Sequence, residues 1–472
     1  MKSHHPSFYR LLSSLLLLGL LLSACQIAPT GTEPTLTQAV ESATPQPVAT
    51  LTATALPSLT PTFPADVKRL NGLKLVLWHP YMGDLEKALK VEVDEFNRTN
   101  AWGLQIEARS FGGAQSLENA FFQVGQEDLP NLFLASPEGI RDLQAEYDAL
   151  LDLTLLIEDP EWGLSEEEIA DFLPGIWSIP SEDPQRLGLP VLRNARVLIY
   201  NRTWAGELGF AQAPGTPQEF EQQVCAAMQA NLSAVYTLRG TGGWLLDNNA
   251  YTLLGWLQGF GAEFADSFQF NTPEGLEAFS YLHGLVDQDC TYRLPIASPE
   301  PFEPFATRRT LVYAGSLIDL PLQAQVSRKL ESLDRWEVLP FPALQGQGVV
   351  PLFGQDAAIL DGTHEQELGA WLFLRWLLLS RNQAALAQTG GVLPVTRSGL
   401  QALKTNGAPL AQYRQVLDQS DQFQPLPSVA GWGQARRVLE DATWQLYQPY
   451  TRQEDIPTIL VQLDAMLKEL EK

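Results

Sequence analysis

Three apolar strands alternating with amphipathic helices, all within residues 73–135, limit the possible folds of this chain more than any other feature. The first strand reads Leu73-Lys74-Leu75-Val76-Leu77-Trp78. A helix follows over 84–97, with Leu85, Ala88, Leu89 and Phe96 toward one side. The second strand, Leu104-Gln105-Ile106-Glu107-Ala108, leads through Phe111-Gly112-Gly113 to a helix bearing Leu117, Phe121 and Val124. The third, Asn131-Leu132-Phe133-Leu134-Ala135, runs into the helix start Ser136-Pro137-Glu138. This order predicts an α/β layer with a largely parallel sheet. Ligands of such sheets gather beyond the carboxyl ends of the strands, where Trp78, Phe111 and Ser136 stand. His79, next to Trp78, is a further candidate there.

The part of the chain from about Asp66 onward has some 400 residues, too many for one core, so two or more domains are expected. What precedes it has a different composition. Residues 26–65 hold ten Thr and seven Pro, no Lys or Arg, and one aromatic, Phe63, so they cannot bury enough apolar surface to offset chain entropy. A disordered, extended tether over 25–65 is expected. Ahead of it, Lys2 and Arg10 flank an apolar run over 11–22 that ends in Leu22-Ser23-Ala24-Cys25, the pattern of a secretory signal. A run of that length, at about 1.5 Å per residue, is too short to cross a ~30 Å hydrocarbon core. Leu-Ser-Ala-Cys resembles a bacterial lipobox. The resemblance implies loss of residues 1–24 and acylation of Cys25, the protein then being held outside the cytoplasm by acyl chains alone.

The formal charge of −24 argues against nucleic acid or an anionic membrane surface as partner. With Cys25 acylated, Cys225 and Cys290 remain as an even pair in an oxidising compartment. No CxxC or Cys/His cluster is present, and His79, His283 and His364 stand far apart, so neither a metal site nor a cofactor is expected. GxSxG, P-loop and GxGxxG motifs are absent. The carboxylate runs Glu166-Glu167-Glu168 and Asp287/Asp289 read as solvated faces, so no catalytic residue is assigned.

An ordered set of segments carries a family resemblance. Leu189-Pro190-Val191 precedes an apolar strand ending in Tyr200-Asn201, then Leu208-Gly209, then Pro214-Gly215-Thr216-Pro217-Gln218-Glu219-Phe220. In local terms the last piece is a helix start, with Thr216 as cap, Pro217 in the first turn and Glu219 closing a capping box. The set continues through the aromatic stretch 248–261, through 305–316 with Arg308 in place of a usual Gly, then Val338-Leu339-Pro340, 369–379 and Gly390-Gly391-Val392-Leu393-Pro394-Val395. Over about residues 70–470 the chain resembles the extracellular solute-binding proteins of carbohydrate ABC transporters, the group of maltose-binding protein.

That resemblance implies a two-lobed α/β fold of the periplasmic-binding-protein type II, its discontinuous lobes joined by a hinge of crossing strands. The crossings are expected near 189–193, 306–310 and 361–365. One lobe would then comprise 66–189 and 308–362, the other 190–307 and 363–472. It implies a monomeric receptor that takes a sugar or oligosaccharide and delivers it to permease subunits. An exported carbohydrate-active hydrolase is the alternative, to be separated by an assay for new reducing ends. An adhesin is disfavoured because no repeats are visible. Sugars stack C–H faces on flat rings while fixed polar groups bond their hydroxyls. Trp78, Trp244, Trp256, Tyr313, Phe353 and Trp432 occupy positions that face the cleft in the resembled family. The Gly240-Thr241-Gly242-Gly243 approach to Trp244 suits a close backbone–ligand contact. Arg193, Asn194, Asn248, Ser136 and Ser316 are the polar candidates. Arg193, if turned inward, suits a carboxylate or phosphate on the solute. Some relatives carry cysteines at 225 and 290, and a disulfide between them is expected, with two buried free thiols as the alternative.

Overall fold

The computed structural model describes residues 62–178, 185–234, 238–264, 267–294, 300–407, 410–427 and 431–470. The secretory signal, Cys25 and nearly all of the tether lie outside the described residues. The alternation expected at the start of the chain is present. Strands β1 (Lys74–His79), β2 (Gln105–Ser110) and β3 (Leu132–Ala135) pair in parallel around β1, and helices α1 (Gly83–Thr99), α2 (Ala114–Phe121) and α3 (Pro137–Tyr147) follow them in turn. α1 buries Ala88, Leu89 and Phe96 of the expected stripe, with Val93 added and Leu85 half-buried. Ser136 caps α3, its hydroxyl accepting from the Gly139 amide at 3.2 Å, with Pro137 in the first turn.

Two long strands join this half to the next. β4 (Leu189–Asn201) is buried almost throughout, which is why it reads as a nearly continuous apolar run. Its first part pairs antiparallel with β9 (Val350–Ile359), with a bulge between Pro190 and Leu192; its second part, from Arg196 on, pairs with β7 (Val312–Ser316). The far end of β9 pairs with β3, from Ala135 opposite Asp356 to Leu132 opposite Ile359. The main strand order is β2-β1-β3-β9-β4-β7-β5-β6, where β5 is Trp244–Leu245 and β6 Thr291–Tyr292. β8 (Trp336–Leu339) pairs with β4, and β10 (Phe423–Gln424) with β9. The order describes two half-sheets, one per lobe, sharing β4 and β9 as crossings. Gly354 of β9 lies close against β4: a Cβ there would meet the Leu192 carbonyl oxygen at 2.2 Å.

The pairing differs from the expected division of the chain. The first crossing falls on β4 as expected, but the second is β9 and not residues 306–310. That segment instead bonds within the second lobe: the Gly242 amide donates to the Arg309 carbonyl, and the Asn231 amide group to that of Arg308. Residues 361–365 are no crossing either, since the Asp361 amide bonds the Ala149 carbonyl and the helix His364–Leu377 packs against α1 and β1. The helix Ser380–Gly390 packs against α1 and against the helix Arg397–Asn406. The chain returns to the second lobe after β10, where Trp432–Leu446 packs on Ala250–Gly259 and Ile456–Leu470. Apolar helices and capping signals look alike in either lobe, so sequence cannot say on which half-sheet a helix settles.

Two further expectations meet the structure directly. Thr216 and Glu219 form the capping box of the helix Pro217–Ser233. Cys225 and Cys290 form a disulfide that closes 65 residues of the second lobe. The tether ends earlier than expected. Phe63 is buried, its amide donates to Asp159 Oδ2 at 2.5 Å, and its ring meets His364 edge-on at 5.4 Å.

Candidate functional site

A cavity of about 790 Å³ lies between the half-sheets, over the crossing strands. The first lobe contributes the loop after β1 (Pro80, Tyr81, Met82), the start of α1, and the end of the helix Ser380–Gly390. The second lobe contributes Leu317 and Ile318 beyond β7 and the helix Asp319–Lys329. Leu192, Arg193 and Asn194 of β4, with Phe353, Gly354 and Gln355 of β9, line it from the crossing. Met82 is 62% exposed and Ile318 47%, so apolar side chains from both lobes reach solvent at the cavity. A smaller space of about 100 Å³ adjoins Arg193, Phe353 and Gly354 and is bounded by Glu138, Asp356 and Trp432.

Arg193 borders both spaces, and its charge is already answered. Its Nη1 lies 2.9 Å from Asp356 Oδ1 and also donates to the Leu192 and Gln355 carbonyls at 2.9 and 3.1 Å. The two side chains are only 9% and 12% exposed. A buried pair of this kind presents little net charge to a solute. Asn194 holds the same corner together: its side-chain oxygen accepts from its neighbour Ala195 and, across the sheet, from the Leu317 amide at 3.0 Å. Ser316 donates from both amide and hydroxyl to Asp319 Oδ2, at 2.7 and 2.9 Å, fixing the turn into the next helix.

Phe353 and Trp432 meet through a residue that motif reading did not single out. Tyr251 stacks on Phe353 at 4.4 Å with 20° between planes and leans on Trp432 at 5.5 Å. Burial raises the Tyr251 phenol to a pKa beyond the usual range, so it stays protonated. Burial also raises the carboxyl of Glu138, which faces this cluster from α3.

The remaining candidates belong to the scaffold. Trp244 and Trp256 are wholly buried, with centroids 5.6 Å apart and Phe220 packed edge-on against both. The glycines before Trp244 allow a close approach, but to the protein itself. At Gly243, where φ is 57°, a Cβ would stand 2.1 Å from the Cys290 carbonyl oxygen. Tyr313 is core, its hydroxyl donating to Gln323 at 2.9 Å. Trp78 sits under α2 against Phe111 and Phe121, at 4.6 and 5.1 Å. Phe111 is half-buried beside it, and Ser136 serves as the α3 cap. Asn248 is exposed on the loop whose next residue, Asn249, caps Ala250–Gly259. His79 is buried, and desolvation lowers its pKa to about 4, so the ring is neutral; its Nδ1 accepts from the Tyr81 amide at 3.3 Å.

The structure thus brings Arg193, Asn194 and Phe353 to the larger cavity and Trp432 to the space beside it. Tyr81, Met82, Ile318 and Tyr251 were missed. The signal for the first two was available: they lie just past the carboxyl end of β1, two or three residues beyond where the apolar strand stops. Among the described residues, no cluster of His, Cys, Asp or Glu could hold a metal ion, and no helix is long and apolar enough to cross a membrane.

Comparison with known proteins agrees with this arrangement. A family model described as bacterial extracellular solute-binding protein matches residues 93–410. No curated protein sequence matches the chain. Similar solved structures include a cyclic alpha-maltosyl-1,6-maltose binding protein from Arthrobacter globiformis, at TM-score 0.69 and 17% identity over 84% of this chain and 99% of that one. The sugar-binding protein MalE from Xanthomonas citri aligns at TM-score 0.68 and 17% identity, over 84% and 98% of the two chains. UgpB from Mycobacterium tuberculosis, solved in complex with glycerophosphocholine, aligns at TM-score 0.66 and 16% identity, over 84% and 99%. At such identities the likeness is one of fold.

Proposed function

The chain belongs to the bacterial extracellular solute-binding proteins, and from that premise we propose that it is a receptor for a neutral sugar or oligosaccharide, bound in the cavity over β4 and β9 and passed to an ABC permease. The observation that carries this reading is the 790 Å³ cavity itself, lined from both lobes with the crossing strands between them. A solute touching both lobes favours the closed arrangement by its differential affinity, and β4 and β9 are where the chain turns as the lobes approach. No bond is made or broken in that cycle. Neutrality is supported by the Arg193–Asp356 pair, which leaves Arg193 little net charge to offer a phosphate or carboxylate. Met82, Ile318 and the Phe353–Tyr251 stack supply apolar faces of the kind that sugar C–H groups cover.

Two carboxylates of this region are already engaged by the protein, Asp319 with Ser316 and Asp356 with Arg193, which favours a receptor over an enzyme. As a member of an extracellular family the protein works outside the cytoplasm. Acylation at Cys25 is the proposed means of holding it at the membrane, supported by Leu22-Ser23-Ala24-Cys25 and the Thr/Pro-rich segment behind it. Titration calorimetry with glucose, maltose, maltotriose and glycerophosphocholine tests the solute class. Heat with at least one sugar, and none with glycerophosphocholine, is expected. Binding of glycerophosphocholine alone would overturn the neutral-sugar assignment while leaving a receptor.

A further inference from the structure

Tyr81 is held with unusual care for a loop residue. Its amide donates to His79 Nδ1 at 3.3 Å, and its carbonyl accepts from the Ser110 hydroxyl at 2.6 Å. Both bonds fix the backbone immediately beyond β1, so the side chain leaves from a rigid base. Tyr81 is 5% exposed and lines the larger cavity. Its hydroxyl oxygen is fully buried, yet among the described residues no protein group bonds it. Four other tyrosines, three of them buried and Tyr281 half-buried, behave differently. Tyr200 donates to Gln223, Tyr281 to the Pro217 carbonyl at 2.7 Å, Tyr313 to Gln323 and Tyr413 to the Val392 carbonyl. A buried hydroxyl without a partner weakens a fold, so proteins seldom keep one unless something else bonds it. Arg193 and Asp356, close enough to act on the phenol electrostatically, form an ion pair at 2.9 Å, and neither hydrogen-bonds the phenol; Asp356 Oδ1 is itself without a hydrogen-bond partner among the described residues.

We propose that the Tyr81 hydroxyl reads one hydroxyl of the solute, so that the site selects a polyol carrying that group over its deoxy counterpart. The inference rests on the receptor reading above and adds a specificity determinant to it. A phenol both donates and accepts, which matches a sugar hydroxyl of either orientation. Its rigid mounting means that little ordering is needed when solute arrives. A site built to bond a hydroxyl rejects the analogue lacking it strongly, because the protein group is then left buried and alone.

The test compares wild type with Tyr81→Phe by calorimetry, using glucose, maltose and maltotriose and the monodeoxy derivatives of whichever sugar binds best. The variant should bind the parent sugar at least tenfold more weakly, and bind one monodeoxy derivative as well as wild type does. Its melting temperature should be equal or higher, since the hydroxyl serves no protein partner. Parent-sugar affinity equal to wild type would overturn the proposal and leave the receptor reading intact. So would an equal weakening toward every derivative, or a melting temperature several degrees lower, either of which would make the hydroxyl structural. Wild type that binds none of the three sugars would remove the sugar-receptor reading, and this inference with it.

Discussion

Trp244 does not take the role that its sequence setting suggests. Trp244 follows a glycine-rich approach and reads as a sugar platform, yet it is packed between Phe220, Trp256 and Tyr447. Trp244→Ala is therefore expected to lower folding stability by about 3–5 kcal/mol, the range for a buried large aromatic. Urea unfolding followed by circular dichroism would show it; unchanged stability with weakened sugar affinity would return Trp244 to the site. Two buried titratable side chains give the protein a pH signature. His79 has its pKa lowered from 6.5 to about 4 by burial, so its neutral form stabilises the fold fully above pH 6.5. That contribution, up to about 3 kcal/mol, is lost as pH falls from 6.5 through 4. Glu92 has the opposite sign: burial first, then Glu95, raises it from 4.5 to about 7, so its contribution is present below pH 4.5 and lost as pH rises through 7. His79→Gln should flatten the acid limb of stability against pH, and Glu92→Gln the limb between 4.5 and 7. Parallel profiles for wild type and both variants would contradict these assignments.

Among the elements, the helix Pro217–Ser233 is fixed at both scales that matter to it. Its start is held by the Thr216–Glu219 capping box, and the Glu219 carboxyl is held below its ordinary pKa by the Gly215 and Thr216 amides. Farther along, Cys225 ties it to the end of the helix Pro273–Asp287 through Cys290. The bond closes a 65-residue loop, for which the chain-entropy model gives about 4 kcal/mol. The double substitution Cys225→Ser, Cys290→Ser should lower stability by that order, measured by denaturant unfolding without reductant. A change below about 1 kcal/mol would mean that the unfolded chain already holds the two segments together. β4 is the other decisive element. Its early residues serve one lobe's sheet and its later ones the other's, so one continuous strand builds the hinge.

For the whole molecule, the proposed cycle makes a prediction about shape. Gly354 of β9 lies close against Leu192 of β4, and residues of both strands line the cavity together with residues from both lobes. Saturating sugar should reduce the radius of gyration of the protein in solution scattering if it closes the lobes about these strands. An unchanged scattering profile under conditions where calorimetry shows saturation would argue for a cleft that binds without closing. The buried docking of Phe63 against Asp159 and His364 also fixes where the chain enters the first lobe.

Local order in this protein was legible because its causes are local. Strand β1 and helix α1 follow from alternation and a 3.6-residue stripe. The caps at Ser136 and Thr216 follow from side chains that reach amides three residues on. The even pair of cysteines and the ordered set of segments were enough to indicate a disulfide and a two-lobed α/β receptor. What sequence left open depends on contacts between distant residues. Whether the helix His364–Leu377 settles on β1 or on the other half-sheet is decided by which apolar face finds it, not by its own pattern. Arg193 reads as a free cation until Asp356, 163 positions later on the neighbouring strand, neutralises it. Trp244 and Trp432 each follow a glycine, yet one is sealed in a core and the other borders the space between the lobes. Tyr81 carries no motif at all. Its hydroxyl becomes conspicuous only when the fold buries it beside an ion pair that does not use it, and burial is a property of the packed molecule alone.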